Sequence, residues 1–296
     1  MSETTHQPDP RPAPAVRARG LVKAYGEVRA LDGLDLEVAR GECLGLLGPN
    51  GAGKTTTLRV LSTLTAPQAG QVRVVGLDPV ADSAAVRRRI GVVPQEVALY
   101  GDLTAAENLA FFGRMYGVER GRLVERVEWG LRVAGLSERA DSRVSTFSGG
   151  MKRRLNIVAA LLHGPELVFL DEPTVGVDPQ SRIHVFAMVE ELRRGGTTLI
   201  YTTHQLGEVE RLCNRIVVMD RGRSVAVGTL EELQRRVSRR GAAGLELPEG
   251  VDLGRVVEIL RAQGIEAGVR GEVPDLEEVF LALTGRALRD RDGAEA

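Results

Sequence analysis

Cysteine is nearly absent. Cys43 and Cys213 are the only two, far apart in the chain and each in apolar surroundings. That is too few for a disulfide framework or a tetrahedral metal site, so both are expected as reduced thiols. A long apolar run is missing too. No stretch of about 18 apolar residues occurs, and none is expected to cross a bilayer. The first residues lack the apolar core of a signal peptide. Residues 1–15 are rich in proline and polar groups and are expected as a disordered tail, which places the protein in the cytoplasm. Charge of one sign is missing as well: 39 basic residues face 40 acidic ones. With no basic field, nucleic acid is not an expected partner. Arg87-Arg88-Arg89 and Arg235-Arg236 with Arg239-Arg240 read as solvated helix faces. No internal repeat is seen.

What the chain does have is 296 residues, 43% of them hydrophobic, enough for one large domain with or without a small appendage. Its organising stretch is Gly48-Pro49-Asn50-Gly51-Ala52-Gly53-Lys54-Thr55-Thr56. This fits glycine, four residues, then Gly-Lys-Thr, the phosphate-binding P-loop. An apolar strand, Cys43–Leu47, precedes it, and Thr57–Leu61 follows as the start of a helix expected over 57–64. Glycines let the backbone curl so that N–H groups point inward, and the helix N-terminus adds its positive end. Lys54 supplies a cation for the β- and γ-phosphates, and Thr55 a hydroxyl for Mg²⁺.

Around it the pattern is α/β. Val16 to Val28, Val28–Leu31 and Leu34–Val38 read as strands, so an antiparallel β region precedes the P-loop. Gln71–Val75 and Ile90–Val93 are further strands. From about 103 to 145 the period turns helical. Thr104 with Glu107 forms a capping box, and Leu109, Phe112, Met115 and Tyr116 are expected on one face. Leu123, Val127, Leu131 and Ala134 mark a second helix. Together they read as a helical subdomain, about 96–150, inserted in the core. Ser148 opens a helix through Leu155, Val158, Ala159 and Leu162. Glu166–Leu170 is a buried strand. Residues 181–194 are helical, with Ile183, Phe186, Val189 and Leu192 apolar. Thr197–Tyr201 and Arg215–Met219 are strands. Alternating strands and helices argue for a mainly parallel, doubly wound sheet. After residue 228 the character changes. Residues 229–285 read as a small α+β appendage, with stripes Val256, Ile259, Leu260 and Leu276, Val279, Phe280, Leu283. Residues 286–296 are charged and expected to fray.

Four more features carry chemistry. Asp171 and Glu172 follow an apolar strand. Asp171 sits where Mg²⁺ needs a carboxylate, and Glu172 where a water must be oriented or deprotonated. Alone, the pair also reads as a turn cap. Ser148-Gly149-Gly150 offers a hydroxyl, two free amides and a helix dipole, an anion site or simply an N-cap. Gln95 follows Val92-Val93-Pro94 and reads as an Mg²⁺ or water contact, or as an ordinary surface residue. His204 ends a strand on the same sheet edge as the P-loop, where ligands bind in such sheets, though a lone histidine also reads as structural.

In this order and spacing the elements resemble the ATP-binding subunits of ABC transporters. Gly48–Thr55 resembles the Walker A motif and Leu167–Asp171 the Walker B motif. Glu172 matches the catalytic glutamate, Phe147–Met151 the signature, Gln95 the Q-loop and His204 the switch histidine. Val177-Asp178 matches the D-loop, and Tyr25 the aromatic residue that stacks on adenine. The resemblance spans residues 16–228. Leu276-Glu277-Glu278-Val279-Phe280-Leu281 with Leu283-Thr284-Gly285 is similar to the tail of the daunorubicin-resistance type of exporter. Phe147, Met151 and Val175-Gly176-Val177 depart from the commonest motif residues without touching a catalytic position.

The resemblance implies an ATPase working as a head-to-tail homodimer with ATP and Mg²⁺. Lys54, Thr55, Thr56 and the loop amides would hold one ATP. Thr55, Gln95 and Asp171 would hold Mg²⁺. Ser148, Gly149 and Gly150 of the other copy would meet the γ-phosphate, and Asp178 would bridge the interface. Glu172 would polarise the water and His204 stabilise developing charge. A chain without its own span needs separate polytopic membrane subunits, two by the same resemblance. This places it peripherally at the cytoplasmic face of the membrane. Val97-Ala98-Leu99-Tyr100, apolar in a loop, is expected either to meet that partner or to cover the helical insert. The alternative is a soluble ABC ATPase acting on ribosomes or DNA. A single such domain, with neither a coiled-coil nor a zinc insertion, favours transport, and the tail suggests export of a drug or other hydrophobic substrate.

Overall fold

The computed structural model describes residues 13–238, 251–263 and 274–285. The chain opens with strands β1 (Val16–Tyr25), β2 (Val28–Val38) and β3 (Cys43–Leu47), then helix α1 (Lys54–Leu61) and β4 (Ala69–Val74). Helix α2 (Ser83–Arg87), β5 (Ile90–Val93), α3 (Ala105–Met115), α4 (Arg120–Ala134) and α5 (Gly149–Ala159) follow. Next come β6 (Leu167–Asp171), α6 (Pro179–Arg194), β7 (Thr198–Thr203), α7 (Leu206–Leu212), β8 (Arg215–Asp220) and β9 (Arg223–Gly228). The described part closes with α8 (Leu230–Ser238), α9 (Leu253–Ala262) and α10 (Leu276–Thr284).

Two sheets result. The first is antiparallel, with β1 between β2 and β4. Its strands alternate: Leu34, Leu36 and Val38 of β2 are buried, while Asp35 and Glu37 face outward. The two short strands expected over 28–38 form one continuous strand. The second sheet runs β5-β6-β7-β3-β8-β9, parallel throughout except for the antiparallel β8–β9 hairpin. Every residue of β3 and β6 is buried, as a strand covered on both faces requires. β6 shows the pleat directly. Val168 and Leu170 pack toward α3–α6, whereas Leu167 and Phe169 pack toward α1 and the antiparallel sheet.

The helical insert is built as its caps and stripes dictate. Thr104 accepts from the Glu107 amide, and Glu107 accepts from the Thr104 amide, a closed capping box. Leu123, Leu131 and Ala134 of α4 are buried. Met115 is a correction: it is solvent-exposed, at 57%. At 100° per residue it lies about 120° around α3 from buried Leu109, away from the centre of the helix's apolar face.

The helix expected over 57–64 begins earlier, at Lys54, and ends at Leu61, where Thr63 turns left-handed. The tail expected over 1–15 lies outside the described residues up to 12. At its end Ala15 is buried, donating to the Val38 carbonyl and accepting from the Val75 amide. Residues 286–296 lie outside as well. In the expected appendage, α8 and α10 share a core with the sheet: Leu233, Val237, Leu276, Val279 and Phe280 pack with Ile216, Val218 and Ala226.

Candidate nucleotide-binding site

β3 stands where the strand order reverses, between β7 and β8. The carboxyl ends of β3, β6 and β7 therefore open on one edge, the place where such sheets hold ligands. The P-loop leaves β3 there, Asp171 and Glu172 leave β6, and His204 leaves β7.

The loop needs its glycines. A Cβ at Gly48 would lie 2.5 Å from the Met219 carbonyl oxygen. Gly53 has φ +102° and a Cβ there would meet the Ala30 carbonyl at 2.6 Å. Gly53 is also the residue capping α1, and the first helical bond runs from the Thr57 amide to its carbonyl. The amides of Lys54, Thr55 and Thr56 thus form the open first turn, a ready anion cradle.

Lys54 is buried, at 5% exposure, and its ammonium donates to the carbonyls of Gly48 (2.7 Å) and Pro49 (3.2 Å). It also sits 3.3 Å from Glu172 Oε1. Thr55 Oγ1 donates to Asp171 Oδ1 at 3.3 Å. A hydroxyl and a carboxylate at the mouth of a phosphate cradle are hard oxygen donors of the kind Mg²⁺ takes. Among the described residues no group of three or more His, Cys, Asp or Glu could hold a metal unaided.

Glu172 is 7% exposed and has φ +43°, left-handed for a residue with a side chain. Such backbone costs on the order of 1–3 kcal/mol and persists only where its surroundings impose it. Thr202 is part of that imposition. Register places it beside Asp171, and its hydroxyl donates to Asp171 Oδ1 at 2.6 Å. The Glu172 amide donates back to the Thr202 hydroxyl (3.0 Å) and carbonyl (3.2 Å). His204 Nδ1 lies 3.4 Å from Glu172 Oε1. One residue away, Thr203 Oγ1 donates at 2.7 Å to Glu208, a buried carboxylate that also accepts from Tyr201 (3.1 Å) and Thr174. Burial, the larger cause, and the Glu208 charge push the Tyr201 phenol far up, so it remains a donor.

The other expected site residues lie apart from this cluster. Ser148 caps α5, accepting from the Met151 amide at 3.3 Å, and is exposed with Gly149. Gly150 faces the start of α6, with no room for a Cβ against Ser181. Asp178 caps α6, accepting from the Ser181 amide at 2.9 Å, which holds its carboxyl below the usual range. Tyr25 is exposed at the end of β1, with Lys23 Nζ 5.4 Å from its ring centre. The Gln95 side chain is exposed, and only its carbonyl is tied inward, to Arg153. Of Val97–Tyr100, Leu99 packs against the insert's core, while Val97 and Tyr100 remain exposed.

Thr202, Glu208 and Arg153 were not singled out from sequence. The polar Thr202-Thr203 at the end of an apolar strand was the available signal for the first. Glu208 beside Glu210, and Arg153 beside Arg154, read as ordinary solvated charges.

A parallel sheet opening at its switch point on a glycine loop, a buried lysine and a strand-end carboxylate pair defines a P-loop nucleoside triphosphatase. The comparisons narrow the class. Residues 31–175 match the family model described as "ABC transporter". The linearmycin resistance ATP-binding protein LnrL of Bacillus subtilis is 41% identical, over 93% of this chain and 100% of its own. The daunorubicin/doxorubicin resistance ATP-binding protein DrrA of Streptomyces peucetius is 40% identical, over 97% of each. A solved ATP-binding subunit of an ABC transporter superposes with TM-score 0.70 at 32% identity, covering 77% of this chain and 95% of that one. The chain belongs to the ABC transporter ATP-binding proteins: it is a subunit that binds ATP and hydrolyses it for transport.

Proposed function

We propose that this chain is the motor of an exporter for a hydrophobic, drug-like molecule. The observation that carries the reading is the match of about 40% identity, along nearly the whole chain, to relatives named for linearmycin resistance, daunorubicin resistance and Nod factor export.

In this reading Lys54 and the amides of Gly51 to Thr56 hold the ATP phosphates, and Tyr25 stacks on the base. Release of Lys54 from the Gly48 and Pro49 carbonyls frees its charge for phosphate. Thr55, Asp171 and Gln95 would be the protein's share of the Mg²⁺ ligands, and the ion would supply charge neutralisation on the phosphates. Glu172 takes a proton from water, and His204 steadies the charge that develops on the γ-phosphate. Ser148, Gly149, Gly150 and Asp178 serve the site of a second copy in a head-to-tail homodimer. Their placement around the starts of α5 and α6 supports this, as does a related ATP-binding cassette, 27% identical with TM-score 0.66, described as a dimer bound to ADP and phosphate.

No helix among the described residues is long and apolar enough to cross a membrane. In this reading, as the family resemblance implies, the partner is a separate polytopic permease, two copies per complex, and the motor sits peripherally on the cytoplasmic face. Val97, Tyr100, Phe111 and Met115 supply an exposed apolar patch for it, with the Tyr100 and Phe111 rings edge-to-face at 4.9 Å. Purification of the chain from detergent-solubilised native membranes tests the reading. A polytopic protein in equal amount is expected. A chain that stays soluble, or brings down ribosomes or DNA, overturns the exporter.

A further inference from the structure

Arg153 is 2% exposed, one and a half turns into α5. A guanidinium has five N–H donors in a planar fork, and here every one is spent on a backbone carbonyl. Nε donates to Pro173 O at 2.6 Å. Nη1 donates to Pro94 O at 2.6 Å and Gln95 O at 3.1 Å. Nη2 donates to Asp171 O and Glu172 O, both at 3.1 Å. Among the described residues no carboxylate pairs with it. Desolvation pushes its pKa down to about 10, so it remains charged at neutral pH.

The Asp171 charge favours this cation without pairing with it, so the carbonyls must supply most of what water would. Its acceptors belong to two segments only, the start of the loop carrying Gln95 and the turn carrying Glu172. That turn includes the left-handed backbone of Glu172. Three carbonyls in a row held by one rigid fork fix the direction of the intervening peptides, and with them the aim of the Glu172 side chain.

We propose that Arg153 is a positioning residue for ATP hydrolysis: it holds the 171–173 turn so that Glu172 faces the water, and it locks that turn to the Gln95 loop. The proposal rests on the ATPase reading. It predicts that movement of the Gln95 loop, which lies beside the exposed apolar patch, reaches Glu172 through one side chain. Phosphate binding lies elsewhere, on Lys54 and the P-loop.

The test is steady-state ATP hydrolysis by the full chain as wild type, Arg153→Lys and Arg153→Gln, with Leu155→Ala as a control for damage to the same helix. Turnover is expected to fall by about 10-fold to 100-fold in Arg153→Gln, less in Arg153→Lys, with KM for ATP within about 3-fold. Leu155→Ala is expected to lower the thermal midpoint but not the turnover of folded protein. Amide hydrogen exchange around residues 94–96 and 171–174 is expected to quicken together in Arg153→Gln but not in Leu155→Ala. Wild-type turnover in Arg153→Gln, or a rise in KM matching the loss in kcat, would overturn the proposal. Unchanged exchange in either segment would overturn the lock. A wild type without ATP hydrolysis would instead refute the underlying ATPase reading.

Discussion

At the scale of single residues, the proposed chemistry centres on Glu172. Its carboxylate lies 3.3 Å from the Lys54 ammonium and 3.4 Å from His204 Nδ1. Glu172→Gln keeps the shape and removes the proposed base. Steady-state hydrolysis is expected to vanish while ATP binding, read by a fluorescent analogue, persists; undiminished turnover would rule out the role of Glu172. A different residue sets part of the acid response. His163 packs on Tyr116 with ring centres 4.3 Å apart, and Nε2 donates to the Ile90 carbonyl at 2.9 Å. Burial holds its pKa below the ordinary 6.5. Between those two values the unfolded chain binds a proton that the folded chain does not, so stability rises with pH there and is lost on acidification. Denaturant melts are expected to weaken from pH 7.5 to 5.5, and less so in His163→Gln. The residues proposed for the chemistry, Lys54, Thr55, Asp171 and Glu172, were legible as candidates because type and spacing mark them. Arg153, Thr202 and Glu208 were not, because they act on carbonyls and hydroxyls that only the fold brings near.

At the scale of elements, caps and stripes account for most of the helices. Ser148, Asp178, Thr104 and Thr229 each accept from an amide three residues on, the contact that starts α5, α6, α3 and α8. Met115 broke the pattern because spacing of three alone drifts around a helix, and only the phase against the rest of the fold decides burial. The short α2 had no periodic signal in five residues. α10 is anchored by Phe280, which is fully buried against α8 and the β8–β9 edge. Phe280→Ala is expected to cost about 3–5 kcal/mol in thermal or denaturant unfolding. A loss below about 1 kcal/mol would show that α10 is only loosely docked.

For the whole molecule, the mainly parallel sheet lies among the three buried clusters of the described residues and opens the ends of β3, β6 and β7 on one edge. The mainly parallel sheet was legible because buried strands alternated with helices, whereas the strand order was not, because it depends on which crossovers the packed fold adopts. The edge exposes the P-loop of one site and, around the starts of α5 and α6, the parts proposed for a second. A chain built this way is expected to dimerise only around nucleotide. Light scattering of Glu172→Gln is expected to give monomers alone and dimers with ATP. Monomers under both conditions would separate the hydrolysis machinery from the proposed head-to-tail assembly.

The two cysteines, distant in sequence, meet across β3 and the end of α7 with sulfurs 3.9 Å apart. Their mutual hydrogen bond and their burial push the Cys213 thiol well above its ordinary pKa. The thiolate is the nucleophile, so Cys213 is a poor target for alkylation, and Cys43 is buried away from reagents. The native chain is therefore expected to react little with maleimide dyes. A cysteine placed at exposed Ile183 becomes the one reactive handle, and a fluorophore there can follow two copies closing on ATP without removing either natural thiol.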